Sequence, residues 1–283
     1  MKKKTILDLY DMKKKGEIAT WMTAYDYPMA SFAEQAGIDM ILVGDSLGMI
    51  VLGYDGTVPV TMEDEISHCK AVRRGAPSTF IIGDMPFGSY QESTEQAVRN
   101  AVRFLKEADV DAIKLEGGIR VADKIKAIVD AGIVVFGHIG LTPQSSGAQG
   151  GFKAQGRNAE SARYVIEDAI AVEKAGAQAL LIEGVPDEIT AFIKELLSIP
   201  VYSIGAGISA DGQLLICGDF LGMFQEFTPK FVKKYASIAE VAIGGIKDYI
   251  NEVKNKEFPK DEHCYHIIKG EEDKVKKLFE EYK

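Results

Sequence analysis

One phrase recurs along the chain: an amphipathic segment, a small turn, a short run that is apolar on both faces, then a polar or glycine stop. It appears as AEQAGIDMILVGDS (33–46), RRGAPSTFIIGDM (73–85), KEADVDAIKLEGG (106–118), IVDAGIVVFGHIG (128–140) and VEKAGAQALLIEG (172–184). LLSIPVYSIGAG (196–207) is a further copy with proline in the turn. Gly37, Gly75, Gly132 and Gly176 sit where helix C-caps with positive φ are expected. The apolar runs that follow them read as strands of a covered parallel sheet. IATWMTAY (18–25) and GQLLICGDF (212–220) bring the strands to eight. Helical patterns at Met29–Gln35, Met62–Arg74, Ser93–Glu107, Arg120–Asp130, Ala159–Lys174 and Pro186–Leu197 alternate with them. This alternation predicts a closed (β/α)8 TIM barrel rather than an open doubly wound sheet. A short N-terminal helix precedes it. Pro229 to about Asn255 reads as the last barrel helix, and Gly270–Lys283 as a peripheral one. The expected organisation is a single barrel domain over 1–283, with its core at about 18–255 and a C-terminal extension at 256–283.

Composition agrees with that architecture. A chain of 283 residues with 46% hydrophobic and 27% charged side chains can fill one barrel of the usual size. The net charge of -9 argues against nucleic acid or anionic lipid as a partner. The triplets Lys2–Lys4 and Lys13–Lys15 read as a solvated helix face. Met40–Gly53 is broken by Asp45 and Ser46 and so is not expected to span a membrane, and Asp8 and Asp11 interrupt any signal-peptide core. Cys69, Cys217 and Cys264 are odd in number and far apart, which favours reduced thiols in a cytoplasmic protein. His263-Cys264-Tyr265-His266 has metal-like spelling but no second ligand cluster, and reads as surface or packing.

The chemistry of a parallel barrel lies at the C-terminal ends of its strands. The repeat places Asp45, Asp84, Glu116, His138 and Glu183 there. A single carboxylate at a strand end serves equally well as an N-cap for the next helix. Five ionisable groups at equivalent places converge on one mouth. Asp45, Asp84 and Glu116 offer the hard oxygens that suit Mg²⁺ or Mn²⁺. Lys114 lies two residues before Glu116 and so shares its face, while Leu115 points toward the helices. Such a lysine faces either a neighbouring carboxylate or the carboxylate of a substrate. A cation beside a lysine suits a small 2-oxo acid, whose enolate the metal would stabilise. Glu183, flanked by Leu180, Leu181, Ile182 and Val185, is the candidate base, with a helix-start role before Val185-Pro186 as the alternative. His138 either hydrogen-bonds the keto acid or a metal-bound water, or is a satisfied core histidine. The glycine-rich 147–156 lacks a phosphate-loop signature and reads as a lid or subunit contact. Gly205-Ala206-Gly207 and Gly218-Asp219 end strands seven and eight, where many barrels bind phosphate.

Several strings match a known family: TAYDYPMA (23–30), ILVGDSLGMIVLGYDGTVPVTMEDE (41–65), GDMPFGSYQ (83–91), IKLEGG (113–118), GHIGLTPQ (137–144), IGAG (204–207), DGQLLICGDFLGM (211–223) and PKFVKKY (229–235). From about Thr5 to His266 the chain closely resembles ketopantoate hydroxymethyltransferases. The resemblance implies a barrel of the phosphoenolpyruvate/pyruvate-like group, assembly as a homodecamer, and a place in pantothenate and coenzyme A synthesis. It implies transfer of a hydroxymethyl group from 5,10-methylenetetrahydrofolate to 3-methyl-2-oxobutanoate, with one Mg²⁺ per subunit. By motif, Asp45 and Asp84 match magnesium ligands close to the substrate, Ser46 a substrate contact, Lys114 the holder of the keto acid, Glu116 a metal-site carboxylate and Glu183 the proton acceptor. Two positions depart from the family pattern: Gly184 after Glu183, and Gly218 where many members have histidine before Asp219. The alternatives are a magnesium-dependent, folate-independent lyase or aldolase for another 2-oxo acid, a Schiff-base aldolase using Lys114, and a barrel kept only for assembly.

Overall fold

The computed structural model describes residues 3–283. Eight parallel strands form a closed barrel in chain order: β1 (Ala19–Thr23), β2 (Met40–Val43), β3 (Phe80–Asp84), β4 (Ala112–Glu116), β5 (Val135–Gly140), β6 (Ala179–Glu183), β7 (Val201–Ile204) and β8 (Gly212–Leu215). β8 closes the ring by pairing with β1. The strands are short, all but β8 carry β-branched or aromatic residues, and their outward side chains pack with the helices.

The period of two along each strand sorts the side chains into two cores. Met22, Ile41, Ile81, Ile113, Leu115 and Leu180 point outward and pack with the helices. Trp21, Leu42, Phe80, Ile82, Phe136, Leu181, Tyr202 and Leu214 point inward. Trp21 meets Phe136 and Tyr202 edge-on at centroid distances of 5.7 and 5.6 Å, and Phe136 stacks on Tyr202. This aromatic layer fills the lower barrel, so the next inward positions on β3 to β6 are lifted to the mouth.

The N-terminal helix Ile6–Lys15 adds Leu9, fully buried, to the inner core. Lys3 pairs with Asp111, Lys4 with Asp39 and Lys13 with Asp211, each aspartate standing just before β4, β2 or β8. The lysines expected on a solvated face therefore pin this helix against the strand starts, while Lys14 remains exposed and Lys2 lies outside the described residues. Lys13 Nζ is 2.9 Å from the buried Asp211 carboxylate, which also accepts from the Val201 amide at 2.9 Å.

Gly37, Gly132 and Gly176 have the positive φ of helix ends, but Gly75 does not. It closes helix Met62–Gly75, where an added Cβ would stand 2.3 Å from the Tyr27 carbonyl oxygen. Close packing of two helices, not backbone handedness, requires glycine there. Gly140 meets both demands: its φ is 88°, and a Cβ would lie 2.3 Å from the Glu183 carbonyl oxygen. Gly140→Ala is therefore expected to lower stability by about 2–4 kcal/mol, summing backbone strain and overpacking, as read by urea unfolding. A loss below about 0.5 kcal/mol would show that β5 and β6 do not need this approach.

Contacts divide the chain into two compact units, the first ending at Ala236 and the second spanning Ser237–Lys283. The boundary differs from the expected one. Residues 221–237 form neither helix nor strand, and the helix expected from Pro229 begins only at Ile238. That helix, Ile238–Lys254, belongs to the second unit with helix Glu272–Glu281. His263, Cys264, Tyr265 and His266 are all exposed there. Cys69 and Cys217 are buried free thiols.

Candidate active site

At the C-terminal ends of the strands lies a cavity of about 880 Å³, lined by Asp45, Ser46, Asp84, Lys114, Glu116, His138 and Glu183. Every site residue expected from the sequence is present in it. The barrel register makes several of them cross-strand neighbours: Asp84 opposes Lys114, Glu116 opposes His138, and Gly140 opposes Glu183.

Lys114 is the hub. Its ammonium lies 2.9 Å from Asp84 Oδ1, 3.5 Å from Glu116 Oε1 and 3.2 Å from His138 Nδ1, with 2% of the residue exposed. Burial alone would strip its charge, but Asp84, Glu116 and Asp45 outweigh that and hold its pKa above the ordinary lysine value. The neighbouring-carboxylate reading of Lys114 is thus realised, and its donors also face the cavity.

The acids carry more negative charge than one lysine balances. Burial raises Asp45, helped by Glu116 and opposed by Lys114. It raises Asp84 strongly, with Lys114 opposing and Asp45 and Glu116 adding, and it raises Glu116 despite Lys114. Backbone and amide donors hold the set in place. The Asp45 amide donates to Asp84 Oδ2 at 3.1 Å, and Gln144 donates from Nε2 to Asp45 Oδ2 at 2.9 Å and from its backbone amide to Glu116 Oε2 at 3.0 Å. The Tyr90 hydroxyl donates to Gln144 Oε1 at 2.7 Å. Ser46 Oγ is 2.8 Å from the Tyr25 hydroxyl.

His138 and Glu183 form the second half of the site. Burial and Lys114 depress the imidazole's pKa, so it is neutral at pH 7. Lys114, which can only donate, assigns Nδ1 as acceptor and leaves the hydrogen on Nε2. Nε2 stands 3.2 Å from Glu183 Oε2, within reach though not aligned for a full hydrogen bond. Burial raises the pKa of Glu183, and the His138 contact opposes this only in part.

Glu65, Gln144 and Tyr90 escaped the sequence reading. Glu65 is fully buried in the first turn of its helix, with neither carboxylate oxygen hydrogen-bonded among the described residues. Burial, Asp84 and Asp45 raise its pKa well above the usual range. Its signal was the spacing Met62, Glu65, Ile66, Cys69, Val72, which puts an acid on an otherwise apolar helix face.

A hard divalent cation fits the chemistry of this donor set. Asp45, Asp84 and Glu116 are buried oxygen donors, and Asp84 Oδ1 and Glu116 Oε1 lack hydrogen bonds while facing Lys114. The side chains do not already close round an ion: among the described residues, no three His, Cys, Asp or Glu side chains are arranged to hold a metal.

The closed barrel with acids and a lysine at its C-terminal mouth has the form of a TIM-barrel enzyme. Solved structures agree on the fold: phosphonopyruvate hydrolase in complex with oxalate and Mg²⁺ superposes with a TM-score of 0.60 at 16% identity, covering 98% of this chain and 97% of that one. 2,3-Dimethylmalate lyase, a PEP mutase/isocitrate lyase superfamily member, gives 0.56 at 14% identity, covering 98% and 99%. The family model for ketopantoate hydroxymethyltransferase matches residues 3–261, and the chain belongs to that family. Among its relatives, the 3-methyl-2-oxobutanoate hydroxymethyltransferase of Alkaliphilus metalliredigens (strain QYMF) is 67% identical over 100% of this chain and 99% of its own. That of Bacillus subtilis (strain 168) is 53% identical over 93% and 95%.

Proposed function

We propose that this chain transfers a hydroxymethyl group from 5,10-methylenetetrahydrofolate to 3-methyl-2-oxobutanoate, giving 2-dehydropantoate for pantothenate and coenzyme A synthesis. The observation that carries the reading is the chain of contacts Asp84–Lys114–His138–Glu183 at the mouth of a barrel whose family membership is shown. Lys114 supplies a fixed positive charge for the carboxylate and keto oxygen of the substrate. Glu183, on the neighbouring side of His138, takes the C3 proton. Its raised pKa brings it nearer to the carbon acid, and His138 Nε2, 3.2 Å from Oε2, orients the carboxylate. Ser46 and Gln144 fix the Asp45 side of the pocket. A Mg²⁺ ion held by Asp45, Asp84 and Glu116 would stabilise negative charge developing on the keto oxygen. The donor's ring opens, one water adds to its methylene carbon, and cleavage of the remaining C–N bond releases tetrahydrofolate and leaves that carbon as formaldehyde. The nucleophilic C3 adds to it, and the new alkoxide takes back the proton held by Glu183.

A cytoplasmic homodecamer is part of the same proposal, supported by the family resemblance. No helix among the described residues is long and apolar enough to cross a membrane.

A single assay tests the reading: product formation followed by mass, with each of keto acid, methylenetetrahydrofolate and chelator varied. Formation of 2-dehydropantoate that requires the folate and stops on chelation is expected. Consumption of a 2-oxo acid without folate would instead favour a lyase.

A further inference from the structure

The keto acid has eight non-hydrogen atoms, whereas a cavity of about 880 Å³ matches a much larger ligand. The acids, Lys114 and His138 account for one part of it. Another part of the lining is apolar, formed by Ile50, Ile216, Phe227, Pro229 and Phe231. Arg157, Lys230 and Asp219 are further ionisable residues of the lining; Arg157 and Lys230 are exposed, and Asp219 is buried. Asp219, four residues beyond the end of β8, lines the same cavity with 4% of its surface exposed.

Its buried Oδ1 has no hydrogen-bond partner among the described residues. The surrounding turn does not use the side chain. Cys217–Phe220 is a single helical turn without a side-chain cap, and Asp219 engages it through its backbone, with the amide donating to Ile216 and the carbonyl accepting from Gly222. Burial pushes the carboxyl up to about 6, with Lys234 opposing. A carboxylate left unpaired at an apolar wall is costly unless a ligand satisfies it. The keto acid is itself an anion and would be repelled. The ligand part that fits is neutral, flat and rich in N–H donors.

We propose that Asp219 binds the heterocycle of the one-carbon donor, its carboxylate accepting from the 2-amino group of the reduced pterin. This rests on the folate reading above and extends it to a residue outside the acid–lysine cluster. An N–H···O bond to a carboxylate is roughly twice as strong as one between neutral groups. Phe227 and Phe231 line the same cavity, and aromatic side chains suit a planar ring.

The test is equilibrium binding by calorimetry, without turnover. Wild type, Asp219→Asn and Asp219→Ala are titrated with tetrahydrofolate, with its 2-desamino-2-methyl analogue and with 3-methyl-2-oxobutanoate. Wild type is expected to prefer tetrahydrofolate over the analogue by roughly 10- to 100-fold, the range for a charge-assisted hydrogen bond. Asp219→Ala and Asp219→Asn are expected to lose most of that preference while keeping the keto acid's affinity within about twofold. Persistence of the preference in Asp219→Ala would overturn the assignment, as would a parallel loss of keto acid binding, which marks a structural role. If wild type binds the keto acid but not tetrahydrofolate, the donor reading itself fails, and this inference fails with it.

Discussion

Replacing Glu183 by glutamine is expected to lower kcat by about 10²- to 10⁴-fold, the range for removing a positioned general base, with the KM for the keto acid changed little. Glutamine keeps the size and the hydrogen-bond reach toward His138 but accepts no proton. The wild-type rate has a pH dependence of known sign. As the proposed base, Glu183 would act only when ionised, and burial raises its pKa above the ordinary 4.5, so kcat is expected to fall as pH drops through that raised value. The acid limb should therefore lie above that of a surface glutamate, and the residual activity of the variant should lack it. An unchanged kcat would remove Glu183 from the chemistry.

The second large effect is expected at Lys114, where methionine keeps the length and removes the charge. Asp84, Glu116 and Asp45 would then lose the buried ammonium they surround, and breaking such a set by deleting one partner costs about 3–5 kcal/mol. The sign follows from the lysine's raised pKa. Its contribution is complete below the unfolded value of 10.5 and is lost only at pH above the folded one, so the loss is fully visible at pH 7. Keto acid binding should weaken by roughly 30- to 150-fold, equivalent to about 2–3 kcal/mol for a buried charged hydrogen bond. Urea unfolding and calorimetry measure the two effects. A Lys114→Met protein as stable as wild type, with unaltered keto acid affinity, would show that the hub is ornamental. Added Mg²⁺ should restore stability to this variant more than to wild type, because an ion at the same carboxylates replaces the missing charge.

The barrel was legible in the sequence because each βα unit repeats the same local signals. Apolar runs such as Met40–Val43 and Ala179–Ile182 follow a glycine turn, and their neighbours in space are their neighbours in chain order. The site was legible for a related reason. Period two carries the inward face of β4 from Ala112 through Lys114 to Glu116, and of β5 from Phe136 to His138, so strand-end chemistry could be read without coordinates. Contacts between distant segments left no such trace. Lys3, Lys4 and Lys13 find Asp111, Asp39 and Asp211 only once the barrel has closed, and a local reading of a lysine triplet sees solvent. Gly75 looked like a helix cap because it ends a helix, but its need for a missing Cβ comes from Tyr27 on another helix. Gln144 joins Asp45 to Glu116 across 99 and 28 residues, a role that no spacing rule encodes. The grouping of helix Ile238–Lys254 with the second unit is set by which surfaces it contacts, and its own periodicity is that of any amphipathic helix.

In the proposed reaction, this cavity makes a nucleophile of the keto acid's C3 by proton removal at Glu183. Incorporation of solvent deuterium at C3 of 3-methyl-2-oxobutanoate, followed by proton NMR with Mg²⁺ and without folate, measures that step alone. Wild type should exchange the proton, and Glu183→Gln should bind the keto acid without exchanging it; undiminished exchange in the variant would contradict the account.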